Sequence, residues 1–166
     1  LAYGRANSDD VRLMLTCDGT ALTGLFTDLS RKAQSTDGWT EDAAIGPLAE
    51  TAGQLGEYFA GTRHRFDLPL RPHGTVFQTR VWQALMEIPY GTTWSYGQLA
   101  KRLGNPNASR AVGLANGSNP ISILVPCHRV IGADGSLTGY GGGLDKKRWL
   151  LRPEGAAFKD GEPTLL

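Results

Sequence analysis

The chain has 166 residues and a formal net charge of +1, and 40% of its residues are hydrophobic. This composition is ordinary for a soluble globular protein with one domain or two small ones. No apolar run approaches the ~20 residues that cross a bilayer, so we expect no membrane-spanning helix. No signal-peptide pattern opens the sequence, which does not begin with Met.

The two cysteines, Cys17 and Cys127, are too few for a disulfide framework, so we expect an intracellular, reducing compartment. Their spacing relative to the three histidines, His64, His73 and His128, matches no zinc signature. We therefore expect neither a metal nor another cofactor.

Charge is unevenly distributed along the chain. Residues 1–70 carry six Lys/Arg against ten Asp/Glu, a net charge of −4, whereas residues 71–152 carry ten against three, a net charge of +7. A basic segment of this size suits a polyanion such as DNA, although a solvated basic surface is the more common explanation of such a charge. Charge alone leaves both interpretations open.

The first part of the chain has the pattern of a small sheet with one helix. Apolar and polar residues alternate over 11–17, which predicts a half-buried strand with Cys17 in the core. Asp18-Gly19 favours a tight hairpin, 20–26 is the expected return strand, and the polar stretch 30–40 is an expected loop. An apolar stripe between Glu41 and Gly61 predicts a helix.

A third strand is expected at 66–70, interrupted by Pro69. The next segment, 71–74, is the best linker candidate, because it contains Pro and Gly and the charge changes sign there. We therefore place a domain boundary near residue 71, with an N-terminal domain at 1–70, which is expected to be α/β with an antiparallel sheet, and a second domain at 71–166.

The second domain is expected to be mostly helical, which makes the whole chain α+β. One amphipathic stripe runs from Phe77 to Ile88, and Ser95 with Gln98 forms a capping box that opens a short helix over 96–103. After Gly104 a second short helix is expected over 108–116. Two short helices joined by a tight turn indicate a helix-turn-helix of the winged-helix-like kind, although structural helix hairpins share the pattern.

The second of these helices is poor in side chains that read base edges. Arg110 is its only long charged residue, and we expect the helix to present the small residues Ala108, Ser109, Ala111, Gly113 and Ala115. Such a face can lie close in the narrow minor groove and contact mainly the DNA backbone. A sequence-specific regulator would need more Arg, Asn or Gln.

A cysteine follows the apolar run 121–125, which predicts a strand that ends at Pro126 and delivers Cys127 rigidly. His128 and Arg129 come next and could favour the nucleophilic thiolate. Neighbouring residues of a strand point to opposite faces, so a direct contact between Cys127 and His128 is not expected without a turn or a water. Asp134, Asp145 and Glu154 all remain possible partners for the histidine.

Pro126-Cys127-His128-Arg129-Val130 resembles the active-site signature of the O6-alkylguanine-DNA alkyltransferases, also called methylated-DNA–protein-cysteine methyltransferases. The resemblance covers residues 74–155, about half of the chain. Its further motifs are Ile88-Pro89-Tyr90-Gly91, Ser95-Tyr96, Asn105-Pro106, Ser109-Arg110-Ala111-Val112-Gly113, Asn119-Pro120 and Leu150-Leu151 with Glu154-Gly155.

The resemblance implies direct, single-turnover DNA repair, in which Cys127 accepts the alkyl group of O6-alkylguanine, and of O4-alkylthymine, after base flipping. His128, through a water, and Glu154 would deprotonate the thiol, and Asn119 would brace the turn before it. Tyr96 would hydrogen-bond the N3 edge of guanine and help swing the nucleotide out.

The remaining roles that the resemblance implies belong to the base pocket and the DNA. The carbonyls of Cys127 and Val130 would accept the exocyclic amine, and Trp94, Tyr140 and Gly141 would line the pocket. Arg110 would fill the gap in the duplex, beside Ala108, Ser109, Ala111 and Gly113. The resemblance also implies that the second domain, 71–166, binds DNA and holds the active site while the first domain supports it. It further implies a monomer of the bacterial cytoplasmic type that joins the nucleoid when bound, and it leaves cooperative binding along DNA open.

The chain departs from some relatives at two points. Gly141 stands where some of them have a serine, which would leave more room for bulkier alkyl groups, and the zinc ligands that some relatives carry in the first domain are absent. Two other readings are a DNA-binding module, such as a damage sensor or regulator, and a cysteine hydrolase. The sensors of this fold lack the cysteine, and a hydrolase gives no reason for a basic helix-turn-helix.

Overall fold

A computed structural model describes residues 2–7, 12–27, 40–140 and 143–159. The chain packs as two compact units: the first comprises residues up to His73 together with Pro120–Leu124, and the second comprises Gly74–Asn119 and the residues from Val125 onward. Among the described residues, every helix is too short or too polar to cross a bilayer.

The first unit is a four-stranded sheet covered by one helix. Its strands are β1 (Ala2–Asn7), β2 (Arg12–Cys17), β3 (Leu22–Thr27) and β4 (Thr40–Glu41), in the order β3-β2-β1-β4. The pairs β1–β2 and β2–β3 are antiparallel, and β4 is parallel to β1. Helix α1 (Gly46–Phe59) buries Leu48, Leu55 and Tyr58 from its apolar stripe. Leu13, Leu15 and Cys17 of β2 are buried as the alternation predicts.

Three expectations for this unit need correction. The hairpin loop is Asp18–Ala21 rather than two residues, because Asp18 Oδ1 accepts bonds from the backbone N–H groups of Thr20 and Ala21. Residues 66–70 form no strand; Leu70 makes one isolated bridge with Leu22, since Pro69 can offer a carbonyl but no N–H. Thr40 belongs to β4 rather than to a loop, and residues 30–39 lie outside the described part of the chain.

The second unit contains four helices and a short parallel strand pair among its described residues. The helices are α2 (Val76–Leu85), α3 (Tyr96–Arg102), α4 (Ser109–Gly117) and α5 (Leu144–Glu154), and the strands are β5 (Trp94–Ser95) and β6 (Val130–Ile131). Helix α5 was not expected from the sequence.

Local signals set the ends of these helices. Capping boxes open α2, at Thr75 and Gln78, and α3, at Ser95 and Gln98. The positive φ of Gly104 (82°) ends α3 and starts the tight turn into α4. Helices α3 and α4 therefore form the expected helix-turn-helix, and with the β5–β6 pair they confirm the α+β fold with a winged-helix-like second part.

The expected strand over 121–125 is wrong. Only Ile121 makes a bridge, to Leu25, and the chain then turns. Leu124 N–H donates to the Ser122 carbonyl at 2.9 Å across Ile123, whose φ is +73°, a γ-turn that is rare for a β-branched residue. Ile121 and Ile123–Val125 are buried, and an apolar run buried on all sides does not reveal its backbone conformation.

Candidate active site

Turns, not a strand, place the cysteine. A second γ-turn follows the first, in which Cys127 N–H donates to the Val125 carbonyl at 2.8 Å across Pro126. Cys127–Arg129 then forms a 3₁₀ turn that leads into β6. Asn119 Nδ2 donates to the Val125 carbonyl at 2.8 Å, so this buried side chain supports the turn directly before the cysteine. Cys127 itself is 5% exposed.

His128, Arg129 and Glu154 form a buried cluster beside Cys127. Glu154 Oε2 lies 2.8 Å from His128 Nε2, and the same carboxylate accepts from Arg129 Nε at 2.8 Å and from Arg129 Nη2 at 3.2 Å. Arg129 Nη1 donates to the Ile88 carbonyl at 2.8 Å. Arg129 is therefore held by Glu154 and the backbone, and the cluster selects Glu154 from the three acids that the sequence left open.

The charge state of this cluster sets the histidine tautomer. Burial raises the pKa of Glu154, but hydrogen bonds and charges from His128 and Arg129 outweigh it and lower the pKa to about 2. Burial lowers the pKa of His128 below its ordinary value, despite the neighbouring carboxylate. An ionised carboxylate can only accept, so the neutral imidazole carries its proton on Nε2, and Nδ1 has a free lone pair.

His128 Nδ1 is the atom that can take up a proton. It is buried and has no hydrogen-bond partner among the described residues. Because Cys127 and His128 are neighbours in a 3₁₀ turn, the expectation that strand geometry separates their side chains does not apply. A buried, unpaired acceptor next to a cysteine is the arrangement that a general base needs.

Lys147 is a site residue that the sequence reasoning missed. Its side chain is fully buried, and Nζ donates to the carbonyls of Val130 at 2.6 Å and Thr138 at 2.8 Å. Burial lowers the pKa of Lys147 to about 8, and the charge of a nearby Cys127 thiolate opposes that shift. The same attraction favours the anionic form of the sulfur. Lys147 shares a helix face with Leu150, Leu151 and Glu154, a spacing that was readable once a helix was assumed.

A second missed residue links α4 to the cysteine. Asn116 is buried, and its Nδ2 lies 3.4 Å from the Cys127 carbonyl, which also accepts the backbone N–H of Val130. Asn116 Oδ1 has no partner among the described residues. The carbonyls of Cys127 and Val130, which are expected to bind the base, are thus already engaged within the protein, and each carbonyl oxygen has two lone pairs to share.

The residues expected to line the base pocket occupy the same unit. Tyr96, at the start of α3, lies with its hydroxyl 3.3 Å from the Thr138 carbonyl. Trp94 pairs with Val130 in the β5–β6 ladder, and Tyr140 is half-buried. Gly141 lies outside the described residues. Their contacts with a base stay predictions.

The exposed face of α4 differs in part from the expected one. Arg110 and Ala111 are exposed, Ala108 and Ser109 are half-buried, and Gly113 lies against the Tyr96 ring, where an added Cβ would sit 3.7 Å from the nearest ring atom. The placement of Ala115 on this face is wrong, because Ala115 is buried and its carbonyl accepts Trp82 Nε1 at 2.8 Å. Leu114, which the small-residue pattern passed over, is exposed.

No group of three or more His, Cys, Asp or Glu side chains that could hold a metal ion occurs within the described ranges. Cys17 and Cys127 are both free thiols. The chemistry that the site can perform with its own residues is nucleophilic attack by sulfur, assisted by a buried histidine base and a nearby ammonium group.

Comparison with known proteins agrees with this chemistry. Residues 76–156 match the family described as 6-O-methylguanine DNA methyltransferase, DNA binding domain, and residues 1–72 match its ribonuclease-like domain. The chain is 56% identical over 131 residues to the methylated-DNA–protein-cysteine methyltransferase of Methanosarcina acetivorans, covering 79% of this chain and 83% of the relative. It is 53% identical over 142 residues to the protein of that name from Mycobacterium tuberculosis, covering 86% and 85%.

The fold matches a solved structure over almost its whole length. The crystal structure of Mycobacterium tuberculosis OGT in complex with DNA superposes with a TM-score of 0.86 at 50% identity, covering 93% of each chain. A matched sequence family, high identity and a shared fold lead to one conclusion. The chain belongs to the 6-O-methylguanine DNA methyltransferase family.

Proposed function

We propose that this protein repairs DNA by moving the alkyl group of O6-alkylguanine onto Cys127. The observation that carries the proposal is the buried Glu154–His128 pair, whose free Nδ1 belongs to the residue next to the cysteine. The relatives are named for transfer to a protein cysteine, and one is solved with DNA, which supports the same activity here.

The chemical step is an in-line displacement at the alkyl carbon. The thiol proton passes through a water to His128 Nδ1, and the ammonium group of Lys147 favours the resulting thiolate. The S–C bond forms while the C–O6 bond breaks, and the electron pair leaves with guanine. A hydrogen bond from Tyr96 to N3 offsets the negative charge that develops on the base.

The product explains why the protein acts once. A thioether has no carbonyl for water to attack, and among the site residues that the structure describes none provides a route back to the thiol. Each chain therefore removes one alkyl group. The same chemistry applies to O4-alkylthymine, whose alkyl carbon is bonded to an equivalent exocyclic oxygen.

Access to the base requires DNA binding and base flipping. The helix-turn-helix α3–α4 lies against the minor groove with Arg110 in the gap of the duplex. Arg110 is exposed and makes no ion pair with any residue that the structure describes, so its charge is available for DNA. The protein binds as a monomer in the cytoplasm, where both thiols stay reduced.

The proposal is tested with Cys127→Ser on a duplex that carries one O6-methylguanine. The variant should bind the duplex like the unaltered protein and leave the methyl group on the DNA. Cys17→Ser, at the other free and fully buried thiol, is the matched control and should transfer normally. Transfer by Cys127→Ser, or its loss in Cys17→Ser alone with the fold intact, would contradict the proposal.

A further inference from the structure

Leu114 is a large apolar side chain that is exposed on α4, the helix proposed to lie in the minor groove. It is 72% exposed, whereas Val112, Ala115 and Asn116 of α4 are buried. Leu114 comes one helical turn after Arg110 and three residues after Ala111, so the three residues share one face. An isolated surface leucine is common and proves nothing by itself, and its position here makes it informative.

The surroundings of Leu114 define what this face can meet. Residues 71–152 carry a net charge of +7, and Arg110 on the same face makes no ion pair within the described ranges. The neighbouring residues Ala111 and Gly113 are small, so the Leu114 side chain projects beyond them. A projecting apolar group beside an unpaired arginine on a basic unit fits a polyanion whose groove has walls of apolar deoxyribose better than it fits a hydrophobic protein partner.

We propose that Leu114 is a minor-groove contact that packs against deoxyribose and base edges, close to the nucleotide gap that Arg110 fills. This inference rests on the proposed function, because it uses the same helix and the same duplex. Side chains one turn apart are separated by about 6 Å, and base pairs are stacked about 3.4 Å apart, so Leu114 reaches a step within about two base pairs of the gap.

An apolar contact has a signature that separates it from a phosphate contact. Neutralising a phosphate releases counterions, so losing such a contact makes the dependence of affinity on salt less steep. Losing an apolar contact lowers affinity equally at all salt concentrations. The guanine amino group projects into the minor groove and would lose hydration against a leucine, so Leu114 also favours A·T pairs at the step that it covers.

The experiment measures binding of Leu114→Ala to an undamaged duplex across a salt series. The substitution removes three side-chain carbons, and with about two of them buried against the DNA its binding should weaken about tenfold with an unchanged salt slope. Arg110→Ala should instead reduce the slope by about one. Met86→Ala is the matched control, because Met86 is also an exposed apolar residue of the second unit (48%) and should leave affinity unchanged.

Two further readouts complete the test. Leu114→Ala should transfer a methyl group from free O6-methylguanine base at the unaltered rate, since Leu114 lies away from Cys127 on the exposed face. Its preference for A·T-rich over G·C-rich duplex should shrink relative to the unaltered protein. Ala favours helices at least as well as Leu, so the variant is expected to fold, which a melting curve checks.

The outcomes separate this inference from the proposed function. If the unaltered protein neither binds nor demethylates DNA, the proposed function fails. If it does both and Leu114→Ala binds equally well at every salt concentration, only the role of Leu114 is overturned. A loss that appears only as a changed salt slope, or an equal loss in Met86→Ala, would also overturn it.

Discussion

Replacing Glu154 by Gln tests the buried cluster most sharply, because it changes charge while keeping shape. The carboxylate accepts from His128 Nε2 and from two nitrogens of Arg129. A glutamine has one acceptor oxygen, so its NH₂ group must face either an arginine N–H or the histidine. Facing the histidine would move the imidazole proton to Nδ1 and remove the base.

The loss of folding stability in Glu154→Gln can be estimated in two ways. The pKa of Glu154 is lowered from 4.5 to about 2, and the corresponding preference of the fold for the ionised form is about 3 kcal/mol. Breaking a buried ion pair by removing one partner costs about 3–5 kcal/mol, which agrees. For transfer, losing a general base slows the step by at least about a hundredfold.

Two measurements are needed. Urea unfolding gives the stability loss, and rapid-quench kinetics on methylated duplex gives the transfer rate at a temperature where the variant is folded. The control is Glu87→Gln, whose carboxylate pairs with Arg102 at the surface with 43% of its side chain exposed. An exposed pair contributes about 0–1 kcal/mol, so the control should change little. If Glu154→Gln stayed within twofold of the unaltered rate while remaining folded, the relay through His128 would be refuted.

Lys147→Met should slow transfer from free O6-methylguanine base to the protein about tenfold, because the thiolate loses its nearby cation. The control is Lys101→Met, at an exposed lysine, and equal transfer rates in the two variants would remove the role of Lys147. Asn119→Ala leaves the Val125 carbonyl without its side-chain donor, so we expect the free energy of unfolding in urea to fall by about 1–3 kcal/mol and the transfer rate to fall as well. An unchanged transfer rate would mean that the turn before Cys127 holds without this hydrogen bond. The free energy of unfolding should fall as the pH drops below about 6.5, because the unfolded chain protonates His128 before the folded chain does. It should fall further between pH 4.5 and about 2, where Glu154 is protonated in the unfolded chain before it is protonated in the folded chain. A flat profile from pH 7 to 3 in the same assay would contradict these pKa directions.

Helices α2, α3 and α4 of the second unit were predictable because their signals are local. Ser95 and Gln98 cap α3 within four residues, and Gly104 can take the positive φ that ends it. These interactions form within a few residues of chain and need no knowledge of distant contacts. The same reasoning explains why the helix-turn-helix was found and why its bounds were close.

The segment before the cysteine could not be predicted in this way. The apolar run 121–125 satisfies its backbone through two γ-turns, a bridge to Leu25 and the side chain of Asn119. The bridge depends on a distant segment, and Ile123 is β-branched, so the sequence gives no local signal of the γ-turn at that residue. The apolar run predicted burial correctly and the backbone conformation incorrectly, because both a strand and a compact turn bury apolar residues.

The candidate site also contains residues that the sequence revealed and residues that it did not reveal. Cys127 and His128 stand out in the sequence, but the choice of Glu154 over Asp134 and Asp145 needed the family resemblance, and the distance of 2.8 Å to His128 supports it. Lys147 was missed because a lysine is almost never fully buried, so its charge predicted the surface. Two backbone carbonyls that accept from its Nζ make the burial possible.

The most direct test of the central claim is the intact mass of the protein after incubation with excess duplex carrying O6-methylguanine, followed by peptide mapping. The proposed mechanism predicts a gain of one methyl group per chain, located on the peptide that contains Cys127 and absent from the peptide that contains Cys17. The gain should stop at one even when methylated DNA remains. Demethylation of the DNA without a mass change, or continued turnover beyond one per chain, would contradict transfer to Cys127.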